Sequence, residues 1–379
     1  MLVRKKDFLL AFMNGFIIDL PAASNLYFLW NFGSMAGIIL FFQILTGFFL
    51  SFHYNNNALL AFSSIIHIIR DVNMGWFFRV FHANGSSLFF LFIYVHICRS
   101  MVYGSYCNFK TWCIGVIMML LTMGTGFLGY VLPWGQMSFW GATVITNMVS
   151  AVPYLGNFLV MWVWGGFSVD NPTLNRFFSF HFIFPFVILA LTLIHLIYLH
   201  EWGSNNPLGL DSSSDKIYFH IYFSVKDIFG FVMYFFLFLY VILVYPYSMM
   251  DPENFIYANA LVTPEHIQPE WYFLFAYTIL RSVPSKLGGV IGLVMSVLIL
   301  MFYGFLMNSS MFKSFNFYFL SKFGLSLLLL LFFILTWIGM VSVDYPYEKV
   351  GIMSTIFYFE TFFLLYVLSF FQDLMLFNF

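Results

Sequence analysis

Eight stretches of about twenty apolar residues run through this chain, at 31–52, 76–103, 112–132, 174–199, 227–246, 287–307, 319–340 and 350–371. Twenty helical residues rise about 30 Å, which matches the hydrocarbon thickness of a bilayer. Hydrocarbon offers no hydrogen-bond partners, so each such stretch must satisfy its own backbone as a helix. The sequence therefore predicts an all-α membrane protein with eight transmembrane helices. Composition agrees: 62% of residues are hydrophobic and 8% charged, against roughly 25% charged in soluble domains. Much of this chain takes lipid as its solvent. A net charge of −1 gives no reason to expect nucleic acid as a partner.

The links between stretches differ in length. Those at 133–173 and 247–286 are long, punctuated by Pro133, Pro153, Pro252, Pro264, Pro269 and Pro284. They are too apolar for disorder and read as surface helices lying on the membrane. Residues 1–209 form the expected N-terminal four-helix bundle, and residues 210–379 a C-terminal membrane domain. With the N-terminus on the cytoplasmic or matrix side, that side carries nine Lys and Arg against six opposite, a modest positive-inside bias. Met1 to Asp7 makes a poor signal peptide, so insertion is expected to rely on the first spanning helix.

Four histidines point to chemistry. His82 and His96 share the second stretch, His181 and His195 the fourth, and each pair is fourteen residues apart. Fourteen residues is close to four helical turns, so both imidazoles of a pair share one face, about 21 Å apart along the axis. Antiparallel neighbours would set His82 opposite His181 and His96 opposite His195. That makes two stacked two-histidine metal sites, one near each membrane surface, suited to two bis-histidine haems. A single intramembrane histidine more often serves helix packing; the repeated spacing favours ligation. Cys98, Cys107 and Cys113 form no C-x-x-C-H motif, so the haems would be non-covalent, b-type.

Glycines repeat the same period: Gly33 and Gly47 in the first stretch, Gly115 and Gly129 in the third. Lacking Cβ, they let a flat macrocycle edge approach the backbone, although small residues also serve plain helix packing. Arg79 precedes His82 by three residues and Arg99 follows His96 by three, each toward its own surface, placed for haem propionates. Arg176, Trp112 and Ser105 are further near-haem candidates. Interfacial snorkelling is the plainer reading of these cations.

At this density of features the chain resembles cytochrome b, the haem subunit of mitochondrial and bacterial ubiquinol–cytochrome c oxidoreductase. The resemblance covers essentially the whole length. It rests on "WNFGS" at 30–34, "GYVLPWGQMSFWGATVITN" at 129–147, "NPTLNRFFSFHF" at 171–182, "HLIYLHEWGSNNPLG" at 195–209, "KDIFG" at 226–230 and "TPEHIQPEWYFLFAYTILRSVPSKLGG" at 263–289. It implies a low-potential haem on His82 and His181 and a high-potential haem on His96 and His195. It further implies a Q-cycle: ubiquinol oxidised on the positive side, quinone reduced on the negative side. "PEWY" at 269–272 belongs to the oxidation site, where Glu270 would take a proton released by quinol. Tyr130, Phe127, Gly141, Pro269 and Tyr277 would line that pocket. At the reduction site His200 and Asp227 would serve the two quinone oxygens, with Asn31, Ser34, Ser204 and Lys226 around them. Asp227 is expected to open the fifth helix, where a carboxylate also suits the helix dipole.

The implied partners are a Rieske iron–sulfur protein, a c-type cytochrome, accessory subunits of complex III and a second copy of the chain. Length and phenylalanine bias favour the mitochondrial inner membrane over a bacterial plasma membrane. Ala260 stands where the family commonly has proline, and Glu201-Trp202 follows His200, which puts quinone preference in doubt. The photosynthetic plastoquinol-oxidising relative is split after its fourth helix and usually has unequal histidine spacing. A proton-relaying transporter would also use intramembrane histidines but would bind no haem. A structural scaffold would need no ligands paired in depth.

Overall fold

The computed structural model describes residues 3–377. Its α-helices in chain order are α1 (Phe8–Met13), α2 (Phe32–Ser51), α3 (Ala61–Arg70), α4 (Gly75–Tyr103), α5 (Phe109–Val131), α6 (Gln136–Asn147) and α7 (Gly156–Trp164). There follow α8 (Asn171–Trp202), α9 (Tyr222–Val244), α10 (Leu274–Ser282), α11 (Lys286–Met307), α12 (Phe319–Met340) and α13 (Tyr347–Phe377). Eight of them, α2, α4, α5, α8, α9, α11, α12 and α13, are long and apolar enough to cross a membrane. The chain is a multi-pass membrane protein with the expected number of spans.

Boundaries follow capping rather than hydropathy. α8 starts three residues earlier than its apolar run, because Asp170 and Thr173 form a reciprocal capping box with Pro172 in the first turn. α9 begins at Tyr222, so Asp227 lies in its second turn and does not open the helix as expected. The dipole argument for that carboxylate weakens accordingly, since the effect fades beyond the first turn.

Both long links contain helices, α6 and α7 in one and α10 in the other. α3 comes as an addition. It carries His67. One further addition is a short antiparallel ribbon joining β1 (Pro21–Ala23) to β2 (Lys216–Tyr218).

α2 packs along α4, and α5 along α8, while α4 and α8 stand too far apart to pack directly. α10 to α13 form a second bundle whose buried side chains include Phe275, Ile279, Tyr303, Leu335 and Phe362. It meets α5 through Trp112, whose indole N–H donates to the Leu300 carbonyl at 2.7 Å. Both long links and α3 lie at the end of the bundle that holds His82, so that end is built up and the His96 end is closed by shorter links.

Candidate functional site

The gap between α4 and α8 is bridged twice by facing histidines. The ring centroids of His82 and His181 are 6.1 Å apart, and those of His96 and His195 are 6.4 Å apart. An ion bound by two opposed imidazoles at about 2 Å each, with about 1 Å more from nitrogen to ring centre, sets the centroids roughly 6 Å apart. Both pairs meet that separation. By separation, the side chains present fit a bis-histidine iron at each end.

Tautomers support the fit at the His82 end. Thr46 donates its hydroxyl proton to the Phe42 carbonyl at 2.7 Å, so its oxygen accepts from His82 Nδ1 at 3.0 Å. His181 Nδ1 faces the Thr125 carbonyl at 2.8 Å, which can only accept. Both Nδ1 atoms thus carry the proton, and both Nε2 lone pairs are free for a metal. The His96 end differs. His96 Nδ1 lies 3.1 Å from the Arg99 guanidinium, which can only donate, so this nitrogen accepts. Arg99 stands there in place of an oxygen acceptor, folded inward over Trp30 and onto Ser105 Oγ at 3.0 Å.

Each of the four periodic glycines meets one histidine. A Cβ added at Gly33 would stand 3.1 Å from His96 Cε1, at Gly47 3.0 Å from His82 Cε1, at Gly115 3.4 Å from His195 Cε1, and at Gly129 2.3 Å from His181 Cε1. The glycines make room for imidazole edges, a closer role than the macrocycle approach expected of them.

A cavity of about 480 Å³ opens at the His82 end, within the range of small-molecule sites. His82, His181, Gly47, Gly129, Arg79, Tyr130 and Glu270 all line it. Burial, with Asp251 nearby, pushes the Glu270 carboxyl up to about 7, and Arg79 opposes the shift. Sequence reasoning missed Asp251, Asn254 and Tyr247 on this wall, and the tautomer-fixing Thr46 and Thr125. Thr46 adjoins Gly47 and Thr125 lies one helical turn before Gly129, which is the signal that could have found them.

Other candidates are placed elsewhere. Trp112 turns its indole to the Leu300 carbonyl of α11, and Arg176 bonds the Trp162 and Val163 carbonyls in the last turn of α7, so neither points at the histidines. Tyr277 donates to the Ile267 carbonyl at 2.9 Å and packs against Arg281, and Phe127 packs on Phe177. Tyr277, Phe127, Gly141 and Pro269 do not line the cavity, although Gly141 faces open space.

At the His96 end, Ser34 donates to Asp227 at 2.8 Å, Asn31 to the Lys226 carbonyl at 2.9 Å and Lys226 to the Leu26 carbonyl at 2.8 Å. These four expected residues are thus joined. His200 sits instead beneath Phe16, ring centroids 3.9 Å apart. Ser204 is half-buried, and its neighbour Asn205 makes the contacts, accepting from Ser105 at 2.6 Å.

The family model for cytochrome b/b6/petB matches residues 17–203, and the model for cytochrome b(C-terminal)/b6/petD matches residues 257–359. The chain belongs to the cytochrome b family. Among solved structures, a chain titled "Hyperthermophilic respiratory Complex III" superposes with a TM-score of 0.91 at 29% identity. The match covers 97% of this chain and 98% of that one. Membership of the cytochrome b family brings b-type haem binding and quinol–cytochrome c reductase electron transfer with it.

Proposed function

We propose that this cytochrome b chain oxidises quinol in the Glu270 cavity and carries electrons across the membrane to a quinone site beside Asp227. The observation that supports it best is the pair of histidine bridges at the separation an iron needs, one of them opening on the cavity that holds Glu270. In this reading His82 and His181 hold the low-potential haem, and His96 and His195 the high-potential one. Held between those histidines, haem iron would supply reversible one-electron transfer. Arg79, on the wall of the same cavity, would pair with a propionate of the first haem, and Arg99 would do so for the second on swinging out from His96 and Ser105. Residues 1–209 supply all four ligands, and residues 210–379 supply Glu270 and Asp227.

Quinol must lose protons as it loses electrons. The Glu270 carboxylate is the acceptor on the cavity wall, and its raised affinity suits proton capture near neutral pH. Asp251 lies on the same wall and gives the proton a path outward. At the other end Asp227 is a proton donor oriented by Ser34. The resemblance to a respiratory complex III chain supports an assembly with a Rieske protein, a c-type cytochrome, further subunits and a second copy. It equally supports an energy-transducing membrane, which we read as the mitochondrial inner membrane.

Two outcomes test the proton steps. Glu270→Gln is expected to slow quinol oxidation by roughly tenfold to a hundredfold, the usual worth of one positioned base, with both haems retained. The carboxylate is the working form, so the native rate should fall as pH drops through about 7. The Gln variant should lose that limb; an unaltered pH profile removes Glu270 from the path. Asp227→Asn is expected to slow reoxidation of the second haem by roughly tenfold while its first reduction stays fast. Flash-induced absorbance at the two haem bands measures both rates, and equal reoxidation in the variant sinks the assignment.

A further inference from the structure

Glu360 occupies a position that none of the electron or proton steps uses. It is the fourteenth residue of α13 (Tyr347–Phe377). Among the described residues, every other Asp, Glu, Lys or Arg of the eight spans lies within six residues of its helix end. The depth is fixed independently. Tyr358, two residues earlier, donates its hydroxyl to the Ser296 carbonyl at 2.9 Å, and Ser296 is the eleventh of the 22 residues of α11. Glu360 therefore sits close to the middle of the bilayer.

Its side chain is exposed and takes part in no hydrogen bond or ion pair among the described residues. Met353, Ile356, Phe357, Phe363, Leu364 and Val367 are exposed on the same side of α13, so the carboxyl stands alone in an apolar stripe. The buried side of the helix is already committed: Tyr358, Phe362 and Leu365 pack into the second bundle. A glutamate is too short to reach either membrane surface from mid-depth, where long cations near helix ends can snorkel. An intramembrane carboxyl of this kind needs a partner with a proton or a positive charge.

We propose that this face of α13 docks a spanning helix of another subunit, one that presents a lysine or arginine at mid-depth to the Glu360 carboxylate. The apolar stripe gives the contact area and the ion pair gives register, since a charge in hydrocarbon is tolerated only opposite its complement. The inference is independent of the haem and quinone assignments, because neither bundle of ligands involves this face.

The test uses the whole complex isolated from its own membranes in mild detergent. The hydrophobic reagent dicyclohexylcarbodiimide modifies uncharged carboxyls in lipid, and peptide mass spectrometry reads the adduct at Glu360. Glu360 in the intact complex should label about tenfold less than after detergent has stripped the small subunits, as expected for a carboxylate held charged by a partner. Glu360→Gln should lower recovery of one spanning subunit while the haem spectrum stays unchanged, and Glu360→Asp should restore part of that recovery. The subunit lost should carry a basic residue midway along its own span. Equal labelling before and after stripping, full subunit recovery with Gln, or a lost subunit without a mid-span cation would each overturn the proposal.

Discussion

Alanine at Gly129 is expected to cost the protein the haem assigned to His82 and His181, and with it quinol oxidation. An ideal Cβ there stands 2.3 Å from His181 Cε1 and 2.8 Å from Nδ1, well inside contact distance. The imidazole has nowhere to retreat. Its Nδ1 is tied to the Thr125 carbonyl at 2.8 Å, and its other edge faces His82 across 6.1 Å. A pyridine haemochrome assay should fall to about half the native haem per chain, and turnover should drop by at least a hundredfold, roughly 2.7 kcal/mol of barrier. Gly115→Ala makes the matched comparison. Its Cβ would meet His195 Cε1 at 3.4 Å, an ordinary contact, so both haems should be retained. Gly33 and Gly47, at 3.1 Å and 3.0 Å, should fall between. Full haem content in Gly129→Ala, or a larger loss in Gly115→Ala, would show that these glycines do not make room for the ligands.

Removing one ligand from each pair should separate the two cofactors. His181→Leu is expected to abolish the low-potential component of a redox titration and leave the other; His96→Leu should do the reverse. Either change breaks the electron path, so steady-state turnover should fall by at least a hundredfold in both. The two variants should nevertheless fail differently. With His96→Leu the first haem should still be reduced by quinol and then stay reduced, whereas with His181→Leu it should be absent. A single component in the native protein, or two surviving in either variant, would contradict the pairing.

Much of this was legible in the residues because lipid simplifies the code. A span must be helical, long and apolar, so hydropathy alone found all eight, including α12 at Phe319–Met340 without error. The histidine pairing followed from one spacing on two helices. What hydropathy could not supply was direction around an axis. Trp112 and Arg176 were near the right depth, yet Trp112 turns to the Leu300 carbonyl of α11 and Arg176 to the Trp162 and Val163 carbonyls in the last turn of α7. Helix starts were also opaque where side-chain caps override the apolar run, as at Asp170. α3 escaped notice because ten residues are too few for a span, although its Ala61, Phe62 and Ile68 are buried. The wall of the Glu270 cavity is assembled from α2, α3, α4, α5, α8 and the 247–286 link, a convergence of distant segments that no local pattern announces.

The β1–β2 ribbon has a consequence for how the molecule tolerates interruption. Its register, Pro21 to Tyr218, Ala22 to Ile217 and Ala23 to Lys216, runs between backbone atoms that lie on opposite sides of α8 in chain order. A nick in the turn-rich stretch between Trp202 and Lys216 would sever the covalent thread but leave that stitch in place. The two polypeptides so produced would each keep whole helices, and the ribbon would hold the amino-terminal fragment to the start of its successor. Continuity of the peptide chain is thus not what aligns the halves of this protein.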